Sequence, residues 1–172
     1  NFCYNLNSSI TYEVGTEEAI YPYTPEQLKY LLDSLRSKLN NEAFNQIKFA
    51  VIQSGVKISG TKNVGNFNPY RLEQMIKVVS EFNILSKEHN GDYLTSKQLR
   101  DRFNIGLDGI NIAPEFGVMQ TKLMLKEGLI DLNEAYSTCL RVDKYKKWIP
   151  ETIKKPSKKM IVEVSGHYCF CD

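Results

Sequence analysis

The sequence is poor in the residues that most metal-binding or secreted small domains rely on. Its 172 residues include only 2 histidines and 4 cysteines. The cysteines form no Cys-x-x-Cys pair, and no histidine lies near them at zinc-finger spacing. Cys169 and His167 are close in sequence, but two candidate ligands do not make a tetrahedral site. We therefore expect reduced thiols in a cytoplasmic protein.

Long apolar runs and a strong charge of one sign are also missing. No apolar run approaches the roughly 20 residues that a membrane-spanning helix needs, and no signal peptide opens the chain. The formal net charge is only +2, although residues 154–159 are locally basic. The hydrophobic share of 42% is that of a folded domain. We expect a protein that binds neither membranes nor nucleic acid.

The two ends of the chain suggest how it is organised. It begins at Asn1 without methionine, and it ends in GHYCFCD, which has the pattern of a strand that is cut short. A chain of this length suits one domain better than two. We therefore expect residues 1–172 to be a single domain, the C-terminal part of a longer protein.

The first repeating unit of the chain is a strand followed by a helix. SSITYEVG alternates apolar and polar residues and ends at Gly15, as a strand does. YTPEQLKYLLDSLRSKL then shows the apolar period of a helix. Thr24 and Gln27 predict a capping box, and Pro25 suits the first helical position.

The same alternation recurs three more times. IKFAVIQSG, NILSKEHN and LDGINIAPEFG predict further strands. The helices after them are NPYRLEQMIKVVSEF with Asn68 as its cap, TSKQLRDRFNIG with Gly106 as its stop, and VMQTKLMLKEG. One or two more helices follow in NEAYSTCLRVDKYKKWI. Such repeats indicate parallel pairing, in an open doubly wound sheet or in part of a closed eight-stranded barrel.

Polar residues gather at the carboxyl end of each predicted strand, where both architectures place their active sites. In chain order they are Glu13, Thr16, Glu17 and Glu18; Gln53, Ser54, Gly55 and Lys57; Lys87, Glu88, His89, Asn90 and Asp92; Asn111 and Glu115. We expect them to share one mouth around His89. Because side chains alternate along a strand, Glu88 should face away from His89 and pair with a lysine of an outer helix.

Four of these segments resemble a known family. ITYEVGTEE, FAVIQSGVKISG, SKEHNGDYLT and GLDGINIAPEFG resemble, in order, strands five to eight of class II, metal-dependent ketose-bisphosphate aldolases. The likeness is to the tagatose-bisphosphate aldolase group, including its non-catalytic subunit. It implies an α/β fold of the TIM-barrel type, with about four βα units, half of a (β/α)8 barrel, plus C-terminal helices.

The resemblance also implies roles for individual residues. His89 matches the strand-seven metal ligand, and Glu13 matches an acidic residue near the metal; Asp92 is the second candidate catalytic carboxylate. The implied substrate contacts are Asn111, Lys57, Ser54, Gly55, Asn90 and Gly91. Each has an ordinary structural alternative, such as a histidine that only bonds a backbone carbonyl or a solvated loop lysine.

Lys57 is the main departure from the family pattern, because it occupies the position of the strand-six metal histidine. A protonated lysine has no lone pair for a metal and would repel one, although it suits a phosphate. Zn²⁺ is the cofactor that the resemblance implies. Its full ligand set would need residues outside this segment.

Three functions remain open at this point. The first is reversible aldol cleavage of a ketose bisphosphate by a zinc-dependent aldehyde-lyase of carbohydrate metabolism. The second is a non-catalytic barrel subunit that stabilises a partner aldolase, and the third is a related sugar-phosphate epimerase or isomerase with a Glu–Glu or Glu–Lys pair. In each case the ligand is a sugar phosphate. Because a half barrel exposes unpaired strand edges, we expect a homo-oligomer or a hetero-oligomer with an aldolase-type subunit.

Overall fold

Residues 1–16 and 21–170 are described here in a computed structural model of the chain. Their contacts divide the chain into two compact units. Unit 1 is Asn1–Lys57 with Gly65–Asn111, and unit 2 is Ile58–Val64 with Ile112–Asp172. That residues 1–172 form one domain of a longer protein stays a prediction. Within the described ranges, no helix is long and apolar enough to cross a membrane.

Strands and helices alternate along most of the described chain. The strands are β1 (Tyr12–Gly15), β2 (Ile47–Ile52), β3 (Ile58–Ser59), β4 (Lys62–Asn63), β5 (Leu85–Glu88) and β6 (Gly109–Ile110). The α-helices are α1 (Phe2–Leu6), α2 (Pro25–Lys38), α3 (Asn41–Asn45), α4 (Pro69–Ser80), α5 (Ser96–Ile105), α6 (Pro114–Lys126), α7 (Leu132–Val142) and α8 (Lys158–Ser165). Short 3-10 turns cover Tyr145–Lys147 and Gly166–Tyr168.

Unit 1 is built on a four-stranded parallel sheet in the order β1-β2-β5-β6. Each of these strands is followed by a helix: α2 after β1, α4 after β2, α5 after β5 and α6 after β6. The predicted α/β fold of parallel βα repeats is therefore confirmed. Strands β3 and β4 form a separate antiparallel hairpin in unit 2, which the sequence patterns did not predict.

The helix starts follow the capping chemistry written in the sequence. The side chain of Thr24 accepts a hydrogen bond from the backbone of Gln27, whose own side chain accepts one from the Thr24 amide. Asn68 caps α4 in a similar way, and α5 ends at Gly106 with a left-handed φ of 113°. These contacts satisfy backbone groups that a helix end leaves without partners. The predicted caps and stop are confirmed.

One face of the sheet is covered by helices and forms the core of unit 1. Leu28 of α2 and Leu72 of α4 are fully buried there, in one cluster with Ala50 and Ile52 of β2 and with Ile84, the residue before β5. Burying an aliphatic side chain of this size contributes about 1.5–3 kcal/mol relative to leaving it exposed. The apolar side of the helices therefore packs against the apolar side of the strands on this face.

Two of the predicted elements need correction: one strand is present but shorter than expected, and one expected strand is wrong. The strand expected in LDGINIAPEFG is only Gly109–Ile110, because α6 begins at Pro114, earlier than the expected VMQTKLMLKEG. Proline suits this first helical position, because the N–H that it lacks would have no partner within the helix there. The C-terminal stretch expected to be a strand instead begins as the 3-10 turn Gly166–Tyr168.

The second error arises because the residues before the C-terminal stretch form helix α8. The basic residues 154–159 are typical of a loop, so the start of this helix was not predicted. Ser157 caps α8 by accepting from the amide of Met160. Ile161 and Val162 then pack against Cys139 of α7, so the apolar residues before the C-terminal stretch are buried in a helical cluster. Residues 171–172 lie outside the described part of the chain.

The helix-covered face also contains a buried ion pair. Glu88 of β5 and Arg102 of α5 are each almost completely buried, and the Arg102 Nε donates to Glu88 Oε2 at 2.8 Å. The hydroxyl of Ser54 donates to the other carboxylate oxygen, and the guanidinium lies 4.0 Å from the centroid of the Phe67 ring. As predicted, Glu88 points to the helices, but its partner is an arginine rather than a lysine.

Replacing Arg102 by methionine should destabilise the protein by about 3–5 kcal/mol, because a buried carboxylate loses its compensating charge. Urea unfolding followed by circular dichroism measures this loss. The matched control is Lys97→Met, which breaks an exposed i,i+4 pair with Asp101 on the same helix and should cost less than about 0.5 kcal/mol. Equal small losses for both variants would show that the buried pair does not stabilise unit 1.

Candidate functional site

The second face of the sheet carries charged side chains. Successive side chains of a strand point to opposite faces, so Lys87 and His89 lie opposite to the buried Glu88. The Lys87 Nζ lies 5.1 Å from the centroid of the Phe49 ring, which places β2 and β5 side chains together on this face. Leu85, two residues before Lys87, is 47% exposed. We call the surface formed by Glu13, Phe49, Leu85, Lys87 and His89 the charged face.

Three residues of the charged face form one cluster. The carboxylate of Glu13 in β1 lies with Oε2 2.5 Å from Lys87 Nζ and with Oε1 2.6 Å from His89 Nε2. The three side chains remain between 21% and 30% exposed, so a ligand can reach them. We refer to Glu13, Lys87 and His89 as the Glu–Lys–His cluster.

The cluster keeps Glu13 ionised. Partial burial alone would raise the pKa of this carboxyl, but the hydrogen bonds and positive charges from Lys87 and His89 outweigh it and lower the pKa below its ordinary value. A carboxylate with a lowered pKa is a weak base near neutral pH. Glu13 therefore suits the holding and orientation of the lysine and the imidazole better than proton abstraction by itself.

The loop after β5 is fixed beside β6 by two backbone hydrogen bonds. The Asn111 amide donates to the Glu88 carbonyl at 2.8 Å, and the Gly91 amide donates to the Asn111 carbonyl at 2.9 Å. Gly91 packs so tightly against Ile110 that a Cβ atom there would overlap its side chain. His89 and Asn111 are thus brought to the same end of the sheet, as the sequence predicts.

The end of β2 is fixed by the same kind of contact. The Ser54 carbonyl accepts from the Asn68 amide at 2.8 Å, while its hydroxyl is used by Glu88 on the helix-covered side. Gly55 follows with a φ of 97°, and a Cβ atom there would overlap the carbonyl of Asn66. Only glycine adopts this conformation without strain. The backbone, rather than the Ser54 side chain, is what this segment can present to a ligand.

The other predicted residues lie around these strand ends. Asp92 is only 1% exposed, Lys57 is exposed, and Asn90 has a left-handed φ of 58°. Glu17 and Glu18 lie outside the described residues. The clearest convergence is therefore between Glu13 and His89 in side-chain contact and between Gly91 and Asn111 in backbone contact. The ligand and catalytic roles of all these residues stay predictions.

Two residues at the strand ends were underrated from the sequence. Lys87 was grouped with the end of β5 but not chosen for the site, although it lies two positions before His89 and therefore on the same face. Gln53 is fully buried and accepts hydrogen bonds from the Tyr23 amide at 2.7 Å and from Arg71 Nη2 at 2.8 Å. The buried amide thereby holds the segment before α2 against the end of β2.

A zinc ion requires more than this chain's described residues provide. No group of three or more histidine, cysteine, aspartate or glutamate side chains among them is placed to hold a metal. His89 Nε2 and Glu13 face each other, and the Lys87 ammonium beside them would repel a divalent cation. Residues 1–16 and 21–170 therefore do not by themselves fit the zinc site that the aldolase resemblance implies.

Comparisons with known proteins support the fold. No protein-family model matches the sequence, and no curated protein matches it. A probable tagatose 6-phosphate kinase from Sinorhizobium meliloti 1021 matches with a TM-score of 0.60 and 19% identity, over 94% of this chain and 44% of that chain. The fructuronate-tagaturonate epimerase UxaE from Cohnella laeviribosi, complexed with glycerol, matches with a TM-score of 0.61 and 12% identity, over 97% and 39%.

At 19% and 12% identity, these similarities show the α/β fold alone and do not show an activity. The chain spans less than half the length of both matched proteins. A third structure, the YdjI aldolase from Escherichia coli K12, has 11% identity over 90% of this chain and 54% of its own, but its TM-score of 0.34 is too low to support an argument. The expected architecture of TIM-barrel-type βα repeats is confirmed.

The contacts of Glu13 predict how its titration responds to mutation. In Lys87→Met the pKa of the Glu13 carboxyl should rise, because one hydrogen bond and one positive charge are lost. Carbon-detected NMR titration of the side-chain carboxyls measures this pKa. Since the folded-state pKa is lowered, the stability that Glu13 contributes is present above its unfolded pKa and is lost as the pH falls through the folded value.

A matched control is Lys29→Met, which removes a lysine of α2 that pairs with Glu81 on the helix-covered side. It should leave the pKa of Glu13 unchanged. An unchanged Glu13 pKa in Lys87→Met would mean that the Glu–Lys–His cluster does not form in solution.

Proposed function

We propose that this chain is part of a TIM-barrel protein of sugar-phosphate metabolism of class II aldolase type, and that its charged face binds an anionic sugar. The observation that carries the proposal is the Glu–Lys–His cluster. It sits on one face of a parallel sheet, with Asn111 and the Gly91 loop at the adjoining strand ends. Ligands of such sheets bind at the carboxyl ends of their strands.

The chemistry of the cluster suits a phosphorylated ketose. The Lys87 ammonium can donate to a phosphate or to a sugar oxygen that becomes negative during reaction, and charge-assisted hydrogen bonds of this kind are the stronger ones. Glu13 holds Lys87 and His89 at 2.5 and 2.6 Å, so both donors are oriented before a ligand arrives. His89 adds an imidazole, the side chain that most often acts as a general acid or base in catalysis.

Within the aldolase type, we favour the non-catalytic barrel subunit that stabilises a partner aldolase. Two observations support this choice: Lys57 stands where the resemblance requires a metal histidine, and the described residues do not fit a zinc site by themselves. A zinc-dependent aldehyde-lyase that cleaves tagatose 1,6-bisphosphate would need further ligands from outside this chain. The partner that this subunit would stabilise is an aldolase-type subunit, as in the expected hetero-oligomer.

A sugar-phosphate epimerase or isomerase is the second candidate. It is favoured by the contact of Glu13 with Lys87, which is the Glu–Lys pair expected for moving a proton on and off a sugar carbon. The lowered pKa of Glu13 weighs against this role, because it weakens that carboxylate as a base. We therefore place it after the barrel-subunit proposal.

An activity assay separates these functions. The full chain is incubated with tagatose 1,6-bisphosphate and Zn²⁺, alone and together with a class II tagatose-bisphosphate aldolase, and triose phosphate release is followed by a coupled NADH assay. We expect no cleavage by the chain alone and a longer half-life of the aldolase's activity in the mixture. Cleavage by the chain alone that a chelator abolishes would contradict the subunit proposal, and solvent deuterium incorporation without cleavage would favour the epimerase.

The sugar-binding part of the proposal has its own test. Lys87→Met should weaken the binding of dihydroxyacetone phosphate or tagatose 1,6-bisphosphate by about tenfold or more, since a charge-assisted hydrogen bond contributes roughly 1.5–3 kcal/mol. Isothermal titration calorimetry measures the Kd. Lys29→Met, which leaves the charged face intact, should bind like the original chain. If both variants bind the ligand with the same Kd, Lys87 does not contribute to ligand binding.

A further inference from the structure

Two thiols meet in unit 2, and neither is a residue of the proposed sugar site. Cys139 lies on α7, and Cys169 directly follows the 3-10 turn after α8. They are 30 residues apart in the chain, yet their Sγ atoms are only 3.5 Å apart. Both are in the reduced thiol form in this structure. The separation is that of two reduced thiols in contact, since a disulfide bond is about 2.05 Å long.

The fold around the two thiols holds them in place. Cys139 is 1% exposed and packs with Ile161 and Val162 of α8. The Cys169 amide donates to the Gly166 carbonyl at 2.8 Å, which fixes the turn that carries this residue. Cys169 itself is only partly buried. The more accessible thiol is therefore on a terminal turn, and the buried one is on a packed helix.

A cavity gives small molecules access to the pair. Its volume is about 370 Å³, and both cysteines line it together with Asp131, Glu134 and Thr138. This is room for a reagent with a few heavy atoms beside the sulfurs. The two carboxylic side chains make the cavity unfavourable for an anionic reagent, because like charges repel.

We propose that Cys139 and Cys169 are a redox-active pair that a small, uncharged disulfide oxidises to an intramolecular disulfide. The thiolate of Cys169 attacks one sulfur of the reagent, whose S–S bond breaks, and a mixed disulfide forms while the first thiolate leaves and takes up a proton. The thiolate of Cys139 then attacks the Cys169 sulfur and releases the second thiolate. The two protein thiols lose two electrons and two protons, and the reagent is reduced to two thiols.

The closure requires little movement. The two sulfurs must approach by roughly 1.5 Å to reach disulfide length, which a side-chain rotation and a small shift of the terminal turn can supply. The bond would join α7 to the turn after α8 and close a loop across the C-terminal helices. A loop of this length restricts the unfolded chain, so oxidation should raise the Tm of unit 2, on the order of 5–10 °C.

The test treats the full chain with 2-hydroxyethyl disulfide near neutral pH, followed by alkylation of remaining thiols, protease digestion and mass spectrometry. We expect a cross-linked peptide pair containing Cys139 and Cys169, lighter by two hydrogen atoms than the reduced pair, and a higher Tm that dithiothreitol reverses. Oxidised glutathione, which is anionic, should react more slowly than the uncharged reagent at equal concentration.

Four single substitutions complete the test. Cys139→Ser and Cys169→Ser should each abolish the cross-link and the Tm increase, whereas Cys3→Ser and Cys171→Ser should leave both unchanged. Cys139→Ala serves as a second variant if serine in the buried position prevents folding. A cross-link that uses Cys171, or no intramolecular cross-link in the original chain, would overturn the proposal. The result is independent of sugar binding, which uses other residues.

Discussion

The alternation of side chains along strand β5 is the constraint on which unit 1 depends. Ser86 and Glu88 face the helices, whereas Lys87 and His89 face the other side. A shift of one residue in the pairing of β5 would send the buried carboxylate to the surface and the side chains of Lys87 and His89 into an apolar core. The register with β2, in which Lys87 lies beside Val51 and Glu88 beside Ile52, is therefore strongly specified.

The sheet contains two carboxylates with cationic partners, and the degree of burial decides whether each contact mainly stabilises the fold or remains accessible to a ligand. Glu88 and Arg102 are sealed from water, so each charge needs the other, and the pair fixes α5 against β5. The Glu–Lys–His cluster is partly exposed, so its ion pairs contribute less to stability, and its donors remain within reach of a ligand. The first contact is structural, and the second is the better candidate for function.

Much of unit 1 could be predicted from the sequence because its signals are local. The capping residues Thr24 and Asn68 and the stop at Gly106 mark helix ends through contacts within a few residues. The separation of Glu88 from His89 follows from strand alternation alone. The contact between Glu13 and His89 was accessible only through the order of the strands, since it joins residues 76 positions apart. The C-terminal helix α8 was missed because its signals, a serine cap and a short apolar run, followed a basic stretch typical of loops.

The aldolase resemblance and the structure agree on the placement of two residues, but the side chains found around them differ from those of a zinc site. Both place His89 and Asn111 at one end of a parallel sheet. The groups around His89, however, are the Glu13 carboxylate, which accepts hydrogen bonds, and the Lys87 ammonium, which donates them. The ammonium attracts an anionic sugar oxygen and repels a zinc ion. This difference is the reason for placing a sugar-phosphate-binding subunit ahead of a metal enzyme.

The most direct test of the central claim is a map of ligand contacts on the full chain. Dihydroxyacetone phosphate is titrated into isotope-labelled protein, and the amide and side-chain NMR signals are followed. The account predicts saturable shifts at Glu13, Lys87, His89 and Asn111, with little change at Leu28 and Leu72 on the helix-covered side. Shifts confined to unit 2, or no saturable shifts at the charged face, would contradict it.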